Sequence, residues 1–310
     1  MLHAPPPSFM GVRMTRDLLG CQAAILGAPF DCGTHPVRIG ARQGPAAIRA
    51  QSTLVRPYEP PEDDFDPLAA LGVVDCGDAA VVPSALAESF EAIAQATARI
   101  IGADALPVVL GGDGAITLPV LRALHARHGA ALCVLHIDAH TDAYAGDGNR
   151  ERDRYNTATT FTRAAEEGLV DARNSLHLGA RGPTYQQGVF GHTRGLGYRL
   201  IPGDELWRRG IADVLAEVHA LLAGRPVHLC FDMDFFDPAA APGVCTPTWG
   251  GASAREGLEL IQGLAGIDFV GFDINTVSPP HDPSGMTAFL AATCVRAFLV
   301  LACRRPGGTS

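Results

Sequence analysis

Seven short runs along the chain are apolar at consecutive positions rather than at alternate ones. They are "AAILGAP" (23–29), "LGVVDCG" (71–77), "LPVVLGG" (106–112), "ALCVLHID" (131–138), "SLHLGAR" (175–181), "VHLCFDMD" (227–234) and "DFVGFDIN" (268–275). Strands covered on both faces read this way, whereas a half-exposed strand alternates. Between them lie stretches with helical spacing. "SALAESFEAIAQATARIIG" (84–102) opens on a Ser, and "DVLAEVHALLAG" (213–224) closes on Gly224. Alternating strand and helix predicts a parallel sheet in a three-layer αβα domain, whose ligands gather beyond the carboxyl ends of the strands.

The polar clusters fall at those ends. "HIDAHTDAY" follows the strand "ALCVL" and carries Asp138, His140 and Asp142 at spacings of two, which an extended segment sends to one side. "FDMDFFDP" follows "VHLC" with Asp232 and Asp234 at the same spacing, and Asp237 beyond. Carboxylates that converge repel one another and stay ionised together only around a cation. Oxygen-rich donors with one imidazole suit Mn²⁺, Ni²⁺ or a similar divalent ion better than a structural zinc. His136, two residues before Asp138, shares the same spacing, but reads as a histidine packed within its strand rather than as a substitute ligand.

Composition narrows the classes. With 310 residues and 47% hydrophobic content the chain can bury one large core, and no linker divides it. Residues 1–20, with their Pro run, read as an N-terminal arm and 21–305 as a single domain. A net charge of −9 offers no basic face to nucleic acid or to an anionic membrane. The eight cysteines form no CxxC pair, as expected for reduced thiols. No signal peptide and no apolar run of membrane-spanning length is apparent, so the expected compartment is the cytoplasm.

Taken together, "GGDGAITLP", "HIDAHTD", "FDMDFFDPAAAPGVCTPTWGGASARE" and "GFDINTVSPPHDPSGMTAFLAA" stand in the order and spacing of the arginase/agmatinase (ureohydrolase) family. The early "GAPFDCGTHPVRIGARQGPAAIR" (27–49) and "LHLGARG" (176–182) also resemble that family, so the likeness runs from about residue 20 to about 300. The resemblance implies an arginase-like domain with a parallel eight-stranded sheet and a hydrolase of guanidino or related C–N bonds. It further implies one or two divalent ions per chain, Mn or Ni, and assembly into trimers or hexamers. By the same resemblance Asp138 and Asp232 bridge two metals, His140 and Asp234 complete one site, and Asp142 helps hold the other and orients the attacking water.

Three positions depart from the family pattern. Gly114 stands where the family has a metal-ligating His, which leaves the first site with Asp138, Asp142 and Asp232 and implies weaker metal binding there. Thr157-Ala158 aligns with a His-Gly pair that carries protons to the leaving amine. Threonine is no general acid near neutral pH. Thr276 stands where a Glu clamps the substrate guanidinium. His281, in "SPPHD", falls near the expected pocket mouth. Two readings follow: a metal-dependent hydrolase of a small guanidine, biguanide or amidine, or a catalytically silent subunit that supports an active paralogue, as in heteromeric ureohydrolases of the metformin hydrolase type.

Overall fold

The computed structural model describes residues 7–31, 37–146 and 154–306. Cys32 and the "CGTHP" part of the early segment, like the first two prolines of the N-terminal run, lie outside the described residues. Eight strands form one sheet: β1 (Ala23–Gly27), β2 (Val74–Asp78), β3 (Leu106–Leu110), β4 (Cys133–Ile137), β5 (Leu176–Leu178), β6 (Arg199–Ile201), β7 (Val227–Asp232) and β8 (Phe269–Asn275). Their order is β2-β1-β3-β8-β7-β4-β5-β6, and every pairing is parallel.

Helices cover both faces, and each face has its own apolar core. Leu110, Leu135, Leu229 and Phe272 belong to one core, and Val109, Val134 and Leu121 to the other. That two-sided burial is why the strand runs are continuously apolar. The helix Met286–Cys303 is 18 residues long and apolar enough to cross a membrane by composition, and it is largely buried in the core.

Two local expectations shift. The helix expected from Ser84 starts at Leu86, with Ala85, which has no capping side chain, at the N-cap position. Strand β6, "RLI", is too short to announce itself by pattern. Within the expected arm, Phe9 is fully buried and donates its backbone N–H to Asp75, so the chain lies against the domain from that point.

Register places the site. Ile137 pairs with Phe231, so the next residues, Asp138 and Asp232, emerge side by side. Asp232 pairs in turn with Asn275, which brings Thr276 beside it, and Leu110 of β3 pairs with Ile274. The carboxyl ends of four central strands thus deliver the GGD turn, the two aspartate motifs and Thr276 to one spot.

Candidate metal centre

Asp138, Asp142, Asp232 and Asp234 are all buried, and His140 is partly so. Each turn is held by its own carboxylate. Asp138 Oδ1 accepts the backbone N–H of His140 at 2.5 Å, and Asp232 Oδ1 accepts that of Asp234 at 2.8 Å. These short Asx-type bonds bend the chain back so that alternate side chains share one side. Asp234 ties the two motifs together: Oδ1 accepts the N–H of Ala139 at 3.1 Å and Oδ2 the hydroxyl of Thr246 at 3.0 Å. His140 Nδ1 sits between two carboxylates, 3.2 Å from Asp138 Oδ1 and 3.1 Å from Asp234 Oδ2.

Two sets of donors converge closely enough to hold an ion: Asp138, His140 and Asp234, and His136, Asp138 and Asp142. The sequence favours His136 as a packed strand residue over a ligand. The ring does pack against Phe161 within its strand, yet its Nε2 lies 2.9 Å from Asp138 Oδ2. The signal was the same period of two that links Asp138 to His140.

The electrostatics are those of a site built for a cation. Burial, then repulsion from Asp138, pushes the Asp142 carboxyl well above its usual range. Burial, then Asp234 and Asp138, does the same to Asp232. Burial and Asp138 also raise Asp234. Burial works to raise Asp138 too, but the imidazoles of His136 and His140 hold it below the usual carboxylate range. Burial disfavours a charged His140, and the carboxylates of Asp234 and Asp138 overcome it and raise that imidazole well above its ordinary value. Asp138 Oδ2 is buried with no hydrogen-bond donor. An orphaned carboxylate oxygen amid mutually repelling carboxylates fits a divalent ion.

The remaining expected residues fall in different places. A side chain at Gly114 would point inward, as its position after the GGD turn implies, but a Cβ there would lie 2.9 Å from both Asp142 Oδ2 and Thr157 Cγ2. Thr157 therefore occupies the space that an imidazole at 114 would need. Thr276 Oγ1 donates to Asp232 Oδ1 at 2.5 Å, rather than facing open pocket. That oxygen also accepts from Asp234, so Oδ2 is the oxygen of Asp232 left free for metal. Asp142 and Thr276 are both held at positive φ, 45° and 68°, a strained conformation for side-chain-bearing residues and most so for a β-branched one. His281 pairs with Ser278 Oγ at 2.9 Å. Asp237 clamps the loop after β7 by accepting from Gly250 and Gly251.

A pocket of about 530 Å³ opens above the centre, with His140 in its wall. Arg38, Tyr185, Thr246, Thr248 and Trp249 line the rest, and His140 Nε2 lies 3.3 Å from Thr248 Oγ1. Arg181 fixes this loop by donating to the backbone oxygens of Asp234 and Thr248, both at 2.8 Å.

Residues 21–301 match the family described as the arginase family. Guanidinobutyrase of Pseudomonas aeruginosa is 38% identical over 296 residues, covering 96% of this chain and 90% of that protein. The human mitochondrial guanidino acid hydrolase is 37% identical, covering 92% of this chain and 79% of that protein. The solved structure of proclavaminate amidino hydrolase from Streptomyces clavuligerus superposes with a TM-score of 0.91 at 32% identity, covering 97% of this chain and 98% of that one. The chain belongs to the arginase/agmatinase (ureohydrolase) family and has its fold.

Proposed function

We propose that the chain is a metal-dependent hydrolase that cleaves a C–N bond of a small guanidine, biguanide or amidine. The observation that carries this reading is the buried carboxylate–imidazole centre, with its orphaned Asp138 oxygen, beneath an open pocket. The relatives named above, a guanidinobutyrase and a guanidino acid hydrolase, support the substrate class. Asp138, His140, Asp142 and Asp234, with one oxygen of Asp232, would hold Mn²⁺ or Ni²⁺. A divalent ion there supplies the charge that lets the carboxylates ionise together, and Lewis acidity toward water and substrate. Asp142, beside Gly114 and Thr157, would take the proton from the attacking water and return it to the leaving amine. His140, fixed between two carboxylates, lines the pocket with Nε2 beside Thr248 and would meet the substrate there.

A second reading is favoured by Thr157 and Thr276. The first fills the space beside Gly114 with a methyl group, and the second spends its hydroxyl on Asp232 instead of meeting a cation. On that reading the chain is a silent subunit beside an active paralogue. With either version goes a proposed oligomer, a trimer or hexamer of identical chains or a mixed assembly with a paralogue. The test is to load the purified chain with Mn²⁺ or Ni²⁺ and measure urea, ammonia and amine release over guanidines, guanidino acids, biguanides and amidines. Turnover by the chain alone supports the hydrolase. Turnover only after co-expression with a paralogue carrying "GGDH" supports the silent subunit.

A further inference from the structure

The loss of an imidazole at Gly114 leaves the first site with carboxylates alone only if no other imidazole reaches it. His136 does reach it. Its ring is buried, its Nε2 lies 2.9 Å from Asp138 Oδ2, and these atoms stand with Asp142 in one close group. Although 2.9 Å is an ordinary hydrogen-bond length, Asp138 Oδ2 has no hydrogen-bond partner, so the ring N–H direction misses it. With Nε2 unprotonated, its lone pair and a carboxylate oxygen repel at this distance unless a cation lies between them. Ligand atoms about 2.1 Å from one ion and this far apart subtend roughly a right angle, as adjacent ligands do.

A neighbour sets the ring's tautomer. His136 Nδ1 lies 2.9 Å from His177 Nδ1, so one of the two nitrogens must carry the proton between them. With that proton on His136 Nδ1, its Nε2 keeps a lone pair for the site. This is the outer partner that metal-binding histidines require. His177 is itself wedged edge-on against Phe161 and Tyr198, which fixes the pair.

We infer that His136 Nε2 is a metal ligand in this chain, completing with Asp138 and Asp142 the site that lacks an imidazole at position 114. The inference rests on reading the cluster as a metal centre. It assigns different nitrogens to the two imidazoles: Nε2 of His136, and Nδ1 of His140, the atom that faces Asp138 and Asp234.

The test uses the full chain, ¹⁵N-labelled at histidine and loaded with ¹¹³Cd²⁺, with nitrogen–cadmium couplings read by NMR. Two coupled imidazoles, one through Nε2 and one through Nδ1, are expected. Elemental analysis of the Mn²⁺-loaded protein should then give two ions per chain. His136→Phe, which keeps the aromatic packing, should reduce this toward one, with binding of the lost ion weaker by about 10- to 100-fold. Coupling through Nδ1 alone, with none through Nε2, on protein that holds cadmium overturns the inference and leaves the metal centre standing. Failure to take up any ion overturns both. The coupling needs no variant, so a His136→Phe protein that does not fold leaves the inference open to refutation.

Discussion

Two groups of buried carboxylates lie on the same sheet and are neutralised in opposite ways. Within edge strand β2, Asp75 is fully buried against Arg49, which donates Nε and Nη2 to its two oxygens at 2.8 and 2.9 Å and Nη1 to the more exposed Asp78 at 2.5 Å. Backbone N–H groups of Phe9 and Gly77 complete the set. At the ends of β4 and β7, four aspartates meet, and among the described residues no arginine pairs with their carboxylates. Arg181, the nearby guanidinium, gives its donors to backbone oxygens. The first group is a closed ion pair that fastens the arm and the helix Gly44–Gln51 to the sheet. The second is short of positive charge by construction, which is the condition under which a protein binds a cation.

The largest effect separates these cases directly. Arg49→Met should destabilise the fold by about 3–5 kcal/mol, because it strands Asp75 as an uncompensated buried charge. Asp142→Asn removes a charge from the other group and should leave the metal-free protein as stable as before, or more so, while lowering metal stoichiometry. Urea unfolding of both variants in chelator checks the pair. Equal losses of stability would mean that the aspartate cluster is also internally satisfied.

Next in size is the coupling of stability to ions and pH. Asp142, Asp232, Asp234 and His140 all have raised pKa values in the folded chain, the aspartates chiefly through burial and the histidine, against burial, through Asp234 and Asp138. In the metal-free protein the folded state then binds protons more readily than the unfolded one, so stability falls as pH rises through the window. That window opens above about 4 for the carboxylates and above about 6.5 for the imidazole. Asp138, held low, changes stability only in stronger acid. Metal replaces these protons, so the rise in Tm on adding Mn²⁺ should be larger at pH 8 than at pH 6. At 100 times Kd the stabilisation free energy is about 2.7 kcal/mol. Calorimetric scans at the two pH values measure it, and a larger metal effect at pH 6 would contradict the sign.

Much of this was readable in the sequence, for reasons that also mark where reading stops. Seven of the eight strands advertise themselves through continuous apolar runs because both faces are covered, while three-residue β6 has too few positions to show a period. The aspartate motifs were visible because the pleat and the Asx turns convert spacing into direction. His136 carried the same spacing, but a histidine in an apolar strand looks alike whether it packs or ligates. Contacts that join distant segments left no trace: Thr157 against Gly114, and Thr276 on Asp232, are set by strand order rather than by local pattern.

A smaller effect concerns Gly114→His. The new side chain points at Asp142, yet meets the Thr157 methyl before it can reach an ion. Alone it should cost about 1–3 kcal/mol of stability through overpacking and add no metal. Combined with Thr157→Gly it should fit and strengthen the first site. Thermal unfolding and metal analysis of the single and double variants decide this. A single variant that is both stable and richer in metal would show that Thr157 yields.

The smallest expected effect is at Thr276, where one hydroxyl governs how Asp232 is shared. Its Oδ1 accepts from the Asp234 N–H at 2.8 Å and from Thr276 Oγ1 at 2.5 Å, which uses both lone-pair positions of that oxygen. Thr276→Val keeps the β-branched shape, and so the strain at φ 68°, and removes only the donor. Without an ion the change should cost about 1–2 kcal/mol, since a buried carboxylate loses a hydrogen bond. With an ion the released lone pair can coordinate, so affinity should rise by up to about tenfold, the equivalent of roughly 1.4 kcal/mol. Titration calorimetry of wild-type and Thr276→Val protein with Mn²⁺ reads the difference. Weaker binding in the variant would mean that the hydroxyl orients Asp232 toward the ion rather than competing with it.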